Sequence, residues 1–251
     1  MGCRLIGGAA VAGCCCLLSL TVGSAQTEKV VPVYEEPRHH LVFESPATRI
    51  IDVQIPAGDT TLFHTHSDPI LYVSMSQSQT RSQTLGREWG EAGAAAAAPA
   101  AVQGAPAAPP ASAAPAARLG RMNSVTSYAK QPLTHRVNNI GQGLFRLIGI
   151  MNRSAGDQTE GPSEGFDAKP ELTNPWFRGY RWALTSSAAP HRHRNPVAVV
   201  LITGRASARG SSTTALDKPG QFAWFEGNTE HSLTSVGGDA EVVEVEVRQP
   251  R

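Results

Sequence analysis

Two short stretches of the sequence carry paired histidines in the same arrangement. The pairs are His64 with His66 and His191 with His193, and each pair is followed by a proline three residues after its second histidine. Because residues i and i+2 of a β-strand point to the same face, each pair aims two imidazoles at one point. Neutral imidazoles arranged in this way are ligands for transition metals. The spacing therefore predicts a histidine site in each of two related segments.

Each pair has a later histidine that completes a set of three. His135 and His231 are both followed by an apolar residue at +2 and by a glycine at +6. Three histidines on neighbouring strands can bind a divalent transition metal and leave positions open for water or substrate. The candidate metals are Fe, Mn, Ni, Zn and Cu, and the sequence does not choose among them. The predicted ligand sets are His64, His66 and His135 in the first half and His191, His193 and His231 in the second.

The distances between these histidines indicate a duplicated unit with one insertion. His66 and His135 are 69 residues apart, whereas His193 and His231 are 38 residues apart, a difference of 31. A segment of about that length, residues 90–120, consists largely of alanine and proline. Such a segment has almost no large apolar side chains to bury, so it predicts a disordered insert within the first unit.

Strands must position the histidines, because short β-prone segments recur at even spacing and helical periods are rare. This pattern predicts an all-β fold of barrel or sandwich type. The 251 residues are enough for two small barrels of roughly 80 to 100 residues each. The predicted divisions are a signal segment at 1–25, a first domain at 26–153, a linker rich in Gly, Pro and acidic residues at 154–174, and a second domain at 175–251.

The N-terminal segment resembles an export signal. It combines Arg4 with an apolar stretch and small residues up to Ala25, which is typical of a cleaved secretory leader. All four cysteines lie within it, so a chain cut after Ala25 has neither disulfides nor thiolate ligands. An alternative is a bacterial lipoprotein signal with a lipid on Cys14. We expect a periplasmic or extracellular protein without a membrane span in the mature chain.

The charge balance bears on the class of partner. The whole chain has a formal net charge of +1, from 22 basic and 21 acidic residues. That balance argues against nucleic acid or an anionic membrane surface as the main partner. We expect a small-molecule ligand, and a homodimer remains open.

These motifs resemble those of the cupin superfamily, whose members are small jelly-roll barrels that hold a metal in the lumen. The first copy matches at Gly58, His64, His66, Pro132, His135 and Asn139, and the second matches at His191, His193, Gly220 and His231. The chain thus resembles a bicupin. The resemblance covers nearly all of residues 30–250 apart from the insert and the linker, and it implies two cupin-type jelly-roll β-barrels.

One feature departs from the pattern of this family. Metal-binding cupins usually add a glutamate a few residues after the histidine pair, and here Pro69 and Pro196 occupy about that position. The resemblance then implies a site of three neutral imidazoles, with Asp68 as a poorly placed carboxylate in the first domain only. Glu226 and Glu230 precede His231 in a turn, and we expect solvated positions for both.

Two classes of function fit these residues. The first is an exported metalloenzyme, an oxygenase or isomerase that acts on a small polar molecule. The second is a non-catalytic bicupin that binds a small molecule or serves as a scaffold. The neighbours His39 and His40 cannot both enter one site, because adjacent residues on a strand face opposite sides.

Overall fold

The computed structural model describes residue 2 and residues 28–91, 118–157, 159 and 168–250. The predicted signal segment and most of the predicted insert lie outside the described residues. The predicted linker is described only in part, and its limits stay a prediction. Among the described residues, no helix has the length and apolar character needed to cross a membrane.

The first half of the chain forms two facing sheets that enclose a lumen. One sheet has the strand order β2-β3-β9-β5-β7 and the other has the order β1-β4-β8-β6. Short 3₁₀ helices at Val33–Glu35 and Ser127–Ala129 complete this barrel. Its strands are β1 (Val30–Pro32), β2 (His39–Glu44), β3 (Thr48–Ile55), β4 (Phe63–His66), β5 (Ile70–Ser74), β6 (Thr80–Thr84), β7 (Met122–Val125), β8 (Leu133–Asn139) and β9 (Phe145–Asn152).

The second half repeats this plan. Its sheets have the orders β10-β11-β18-β13-β16 and β12-β17-β14-β15. The strands are β10 (Leu172–Thr173), β11 (Phe177–Leu184), β12 (His191–Arg192), β13 (Val197–Thr203), β14 (Ala206–Arg209), β15 (Thr213–Leu216), β16 (Phe222–Phe225), β17 (Glu230–Ser235) and β18 (Ala240–Val247).

The pairing of strands confirms the all-β fold of two jelly-roll barrels. In the first barrel β9 lies between β3 and β5, and in the second β18 lies between β11 and β13. The strand β7, which follows the insert, pairs with β5 as β16 pairs with β13. The Ala/Pro segment thus interrupts the first barrel between β6 and β7, at a connection that the second barrel makes with five residues, 217–221.

The two five-stranded sheets pack face to face, so their middle strands β9 and β18 are buried on both sides. Val243, Val245 and Val247 of β18 join a core cluster that also contains Ile148 and Ile150 of β9. The alternate positions of β18 face the lumen of the second barrel, where Val242 packs in a separate cluster. Any polar side chain on a strand that is buried on both faces needs a hydrogen-bonding or charged partner inside the protein.

Aromatic side chains close the contact between the barrels. Phe43 of β2 lies 4.6 Å from the ring of Trp224 and 6.3 Å from that of Phe222, measured between ring centroids. Asn152 adds hydrogen bonds from its amide nitrogen to the carbonyl oxygens of Trp176 and Arg248. Phe222 and Trp224 therefore pack between the barrels.

Candidate metal centres

The strands bring the six predicted histidines together as two clusters of three. His64 on β4 lies directly opposite His135 on β8, and His191 on β12 lies opposite His231 on β17. The second histidine of each pair, His66 or His193, points into the same lumen, as the two-residue period of a strand requires. In each cluster the nitrogens that could bind a metal lie within 4.8 Å of one another.

In the first cluster hydrogen-bonding contacts hold the Nδ1 atoms of two histidines, and Nε2 atoms converge inside the lumen. His64 Nδ1 lies 3.0 Å from the Leu62 carbonyl oxygen, and His135 Nδ1 lies 2.8 Å from Ser82 Oγ. His66 Nε2 and His135 Nε2 are 3.0 Å apart. Two nitrogens bound to one metal at about 2.1 Å are themselves about 3.0 to 3.4 Å apart. The spacing therefore suits a shared metal ion.

Burial keeps the histidines of the first cluster neutral. Burial and the neighbouring His39 lower the pKa of His64 to about 3. Burial and the nearby His64 lower the pKa of His135 to about 3 as well. Burial, followed by the other imidazoles, also brings the pKa of His66 well below its ordinary value. Because a metal binds the neutral imidazole, no proton competes for these nitrogens at neutral pH.

Two tyrosines flank the first cluster. The Tyr72 hydroxyl lies 3.4 Å from His66 Nδ1, and the ring of Tyr128 stacks on His66 at 4.9 Å between centroids. Burial raises the pKa of Tyr128 to about 12, which the neighbouring Tyr72 offsets only in part, so its hydroxyl stays protonated. That hydroxyl is buried, and the Tyr72 hydroxyl is the polar group that interacts with it. The two phenols therefore lie together beside the cluster.

His39 is buried next to the first cluster, and His40 is exposed, as expected for neighbours on a strand. The His39 ring contacts His64 edge to face at 4.6 Å, and its Nδ1 lies 2.8 Å from the Val33 carbonyl oxygen. The buried carboxylate of Glu36 lies 3.8 Å from His39 Nε2. His39 thus packs behind a histidine of the cluster and does not belong to the converging set.

The second cluster contains a carboxylate. Glu244 of β18 is fully buried, and its Oε2 lies 2.6 Å from His193 Nε2 and 3.1 Å from His191 Nε2. His231 Nε2 lies 3.7 Å from the same oxygen and has no hydrogen-bond partner among the described residues. The four side chains form a set of three nitrogens and one oxygen.

Electrostatics link Glu244 to its three histidines. Burial alone raises the pKa of this carboxyl group, but hydrogen bonds from the imidazoles hold it well below its usual range. For His191, burial lowers the pKa, and the contact with Glu244 outweighs this and raises it. The carboxylate is therefore ionised at neutral pH, inside a lumen that also holds Glu246.

The expectation of three imidazoles without a carboxylate is wrong for the second barrel. Glu244 comes from the last strand and not from the residues that follow the histidine pair, so Pro196 does not exclude it. Asp68 is not in the first cluster. Glu230 and Glu226 are exposed, where they bond the side chains of Arg192 and Trp224.

The repeat shows why only one barrel has the glutamate. Tyr72 lies three residues after Pro69 and pairs with Gly149, whereas Val199 lies three residues after Pro196 and pairs with Glu244. Gly149 therefore occupies in β9 the place of Glu244 in β18. A Cβ atom at Gly149 would lie 3.0 Å from Ile51 and 3.1 Å from Ile70. Isoleucine side chains therefore crowd the point at which a side chain on residue 149 would begin.

The residues of both clusters fit a divalent transition metal. Nitrogen donors with at most one carboxylate suit Fe, Mn, Ni, Zn or Cu, and no thiolate is among them. The unpartnered His231 Nε2, buried beside Glu244, is a polar atom that a metal ion would satisfy. His64, His191 and His231 each direct Nδ1 toward the carbonyl oxygen two residues earlier, which leaves Nε2 as the donor to a metal.

Comparison with known proteins supports the fold. No protein-family model and no curated protein sequence matches this chain. Among solved structures, AerE from Microcystis aeruginosa superimposes with a TM-score of 0.53 at 10% identity, over 85% of this chain and 99% of that one. A cupin 2 conserved barrel domain protein from Leptotrichia buccalis gives 0.46 at 11% identity over 83% and 87% of the two chains. An oxalate decarboxylase gives 0.49 at 8% identity over 81% and 69%. With its two jelly-roll barrels and a histidine triad in each lumen, the chain has the fold of a bicupin.

Proposed function

We propose that this protein is a metal-binding bicupin with a divalent transition metal in each barrel. The observation that carries the proposal is that three histidines converge in each lumen. In both lumens the Nδ1 atom of a histidine lies at hydrogen-bonding distance from a backbone carbonyl oxygen, which leaves its Nε2 facing the other rings. His64, His66 and His135 would hold the first ion. His191, His193, His231 and Glu244 would hold the second. When bound, such an ion supplies Lewis acidity and a bound water of lowered pKa.

We further propose a metal-dependent oxygenase or isomerase that acts on a small polar molecule. The support is the first barrel, where Tyr72 and Tyr128 place two phenols against His66. A protonated phenol can hold or donate a proton beside a bound substrate. In the second lumen the carboxylate of Glu244 is already hydrogen-bonded to His191 and His193. The first barrel is therefore the better candidate for catalysis.

A non-catalytic, ligand-binding or scaffold bicupin is the alternative. The observation that favours it is the aliphatic core of the first barrel, in which Ile51, Val53, Ile55 and Ile70 are buried in one cluster. For either function the N-terminal sequence supports export with loss of residues 1–25, to the periplasm or the outside of the cell, with a lipid on Cys14 as the alternative.

Elemental analysis of the purified protein tests metal binding. We expect about two metal ions per wild-type chain and about one in His64→Ala/His66→Ala or His191→Ala/His193→Ala. His40→Ala, which removes an exposed histidine, is the matched control and should keep both ions. Full metal content in both double variants, or none in the wild type after metal-supplemented expression, would contradict the proposal.

A further inference from the structure

Each histidine of the two clusters has an oxygen atom near its ring nitrogen Nδ1. For four of the six histidines this oxygen belongs to a backbone carbonyl group or to the Ser82 hydroxyl, at hydrogen-bonding distance. The other two, His66 and His193, hold the same place in the repeat, as the second members of their pairs. The groups next to the Nδ1 atoms of these two histidines differ in kind.

In the first barrel this group is a phenol. The Tyr72 hydroxyl lies 3.4 Å from His66 Nδ1 and also interacts with the Tyr128 hydroxyl. Because a hydroxyl can donate one hydrogen bond and accept another, Tyr72 can donate to Tyr128 and accept from His66 Nδ1. His66 Nε2, which lies 3.0 Å from His135 Nε2 inside the cluster, is then the nitrogen left to bind a metal.

In the second barrel the group is a carboxylate. Glu246 of β18 is fully buried, and its Oε2 lies 4.0 Å from His193 Nδ1. Asn195 Nδ2 donates to Glu246 Oε1 at 2.8 Å, and the Arg178 guanidinium lies 3.8 Å from Oε2, so the carboxylate is held in place. At 4.0 Å it acts on the imidazole through its charge rather than through a hydrogen bond. A negative charge there favours the proton at Nδ1 and makes Nε2 a stronger donor to a metal.

The two barrels exchange these groups between strands. Met151 of β9 and Glu246 of β18 hold matching places, because each pairs with the residue directly after the proline of its barrel. Tyr72 and Val199 also match, three residues after those prolines. A thioether is a weak acceptor, and valine has no polar atom. Each barrel therefore has one polar side chain for the second histidine, from β5 in the first barrel and from β18 in the second.

Resting on the proposed metal binding, we propose that Tyr72 and Glu246 are positioning residues, which hold His66 and His193 with the proton at Nδ1 and with Nε2 directed at the metal. The first centre uses a neutral hydroxyl for this purpose, and the second uses a carboxylate. Because a charge acts more strongly than a neutral hydroxyl, the second centre depends more on its positioning residue.

The test isolates each centre and loads it with Co²⁺. His191→Ala/His193→Ala keeps the first centre, and His64→Ala/His66→Ala keeps the second. Co²⁺ moves the proton signals of its ligands far outside the normal range of a ¹H NMR spectrum. Each histidine bound through Nε2 then gives a separate, exchangeable Nδ1–H signal, so we expect three such signals from each isolated centre.

Tyr72→Phe and Glu246→Gln are placed in both backgrounds, where each serves as the control for the other. At the first centre, Tyr72→Phe should move one ring N–H signal, speed its exchange with water and weaken Co²⁺ binding up to about tenfold. At the second centre, Glu246→Gln should move one ring N–H signal and weaken Co²⁺ binding about 10- to 100-fold. Each substitution should leave the signals and the affinity of the other centre unchanged.

The same two substitutions in the otherwise wild-type chain remove the dependence on double variants that fold poorly. With both centres loaded we expect six ring N–H signals, of which Tyr72→Phe and Glu246→Gln each move a different one. A loss of packing alone would instead disturb all three signals of a centre together.

The outcomes separate the inference from the proposed function. Co²⁺ binding at both centres, with ring signals and affinities that neither substitution changes or that change for all three histidines alike, would overturn the inference and leave metal binding intact. Absence of Co²⁺ binding in the wild type and in both double variants would overturn the two together.

Discussion

At the scale of single residues, Glu244 is the side chain that distinguishes the two centres. Its fully buried carboxylate hydrogen-bonds His191 and His193 and lies 3.7 Å from His231 Nε2. In the sequence it belongs to an alternation of valine and glutamate, Val243 to Val247, which is typical of a strand with one solvated face. In the structure both faces of that strand are covered, one by the other barrel and one by the lumen, so the glutamates lie inside.

The buried histidines make the metal-free protein sensitive to acid. The pKa of His39 falls from 6.5 to about 4 through burial, and those of His64 and His135 fall from 6.5 to about 3. As the pH falls below 6.5, the unfolded chain binds protons that the folded chain does not, so the free energy of unfolding decreases toward pH 4. His191 acts oppositely: its raised pKa stabilises the fold below pH 6.5, and this contribution is lost as the pH rises through that pKa.

We therefore expect a lower Tm at pH 5 than at pH 7.5 for protein freed of metal with a chelator. Each pKa unit between the folded and unfolded states is worth about 1.4 kcal/mol per group, so the four lowered histidines, with His66 included, outweigh His191. His39→Gln should reduce the difference between the two pH values, and His40→Ala, at an exposed position, should not. An equal or higher Tm at pH 5 would contradict this assignment of charge states.

At the scale of elements, β9 and β18 hold the same place in their barrels and differ in what they carry into the lumen. Gly149→Ala tests how closely β9 is packed. The added methyl group would lie 3.0 Å from Ile51 and 3.1 Å from Ile70, both fully buried. We expect a loss of about 1 to 2 kcal/mol in the free energy of unfolding, measured from urea denaturation.

Gly143→Ala is the matched control for this substitution. An added Cβ there meets nothing within 4 Å, and the residue is exposed. Its effect should be close to zero or slightly stabilising. A Gly149→Ala protein as stable as the control would show that the isoleucines yield easily, and close packing would then not explain the missing carboxylate in the first barrel.

Whether a feature of the site could be predicted from the sequence depends on how far apart along the chain the interacting residues lie. The paired histidines could be predicted from a local rule, the two-residue period of a strand. The third histidine of each set could be predicted from the repeat, because His135 and His231 hold matching positions in the two halves. Glu244 depends on which strand lies across the lumen, a relation between positions 51 and 53 residues apart. A pattern within one strand does not contain that relation. Comparison of the two halves offers one signal that the barrels differ, because Glu244 in the second half aligns with Gly149 in the first.

At the scale of the whole molecule, the two barrels share a core. Residues from both five-stranded sheets form one buried cluster: Ile50, Leu71, Val73, Ile148 and Ile150 from the first barrel and Phe177, Ala198, Val200, Ile202, Val243, Val245 and Val247 from the second. Neither sheet could expose this apolar face to water without a large cost. Each barrel therefore depends on the other for the stability of its central strands.

Phe177→Ala tests this dependence. Phe177 is fully buried at the start of β11, and its truncation should cost about 3 to 5 kcal/mol. Because its cluster includes residues of β5 and β9, we expect faster amide hydrogen exchange in those first-barrel strands as well as in the second barrel.

Leu216→Ala provides the contrast in the same measurement. Leu216 is also fully buried, but it packs in the cluster inside the second barrel, which contains no residue of the first. Its truncation should speed exchange in the second barrel and leave β5 and β9 protected. If Phe177→Ala likewise left β5 and β9 unaffected, the shared cluster would not couple the barrels, and each would hold its histidine cluster as an independent unit.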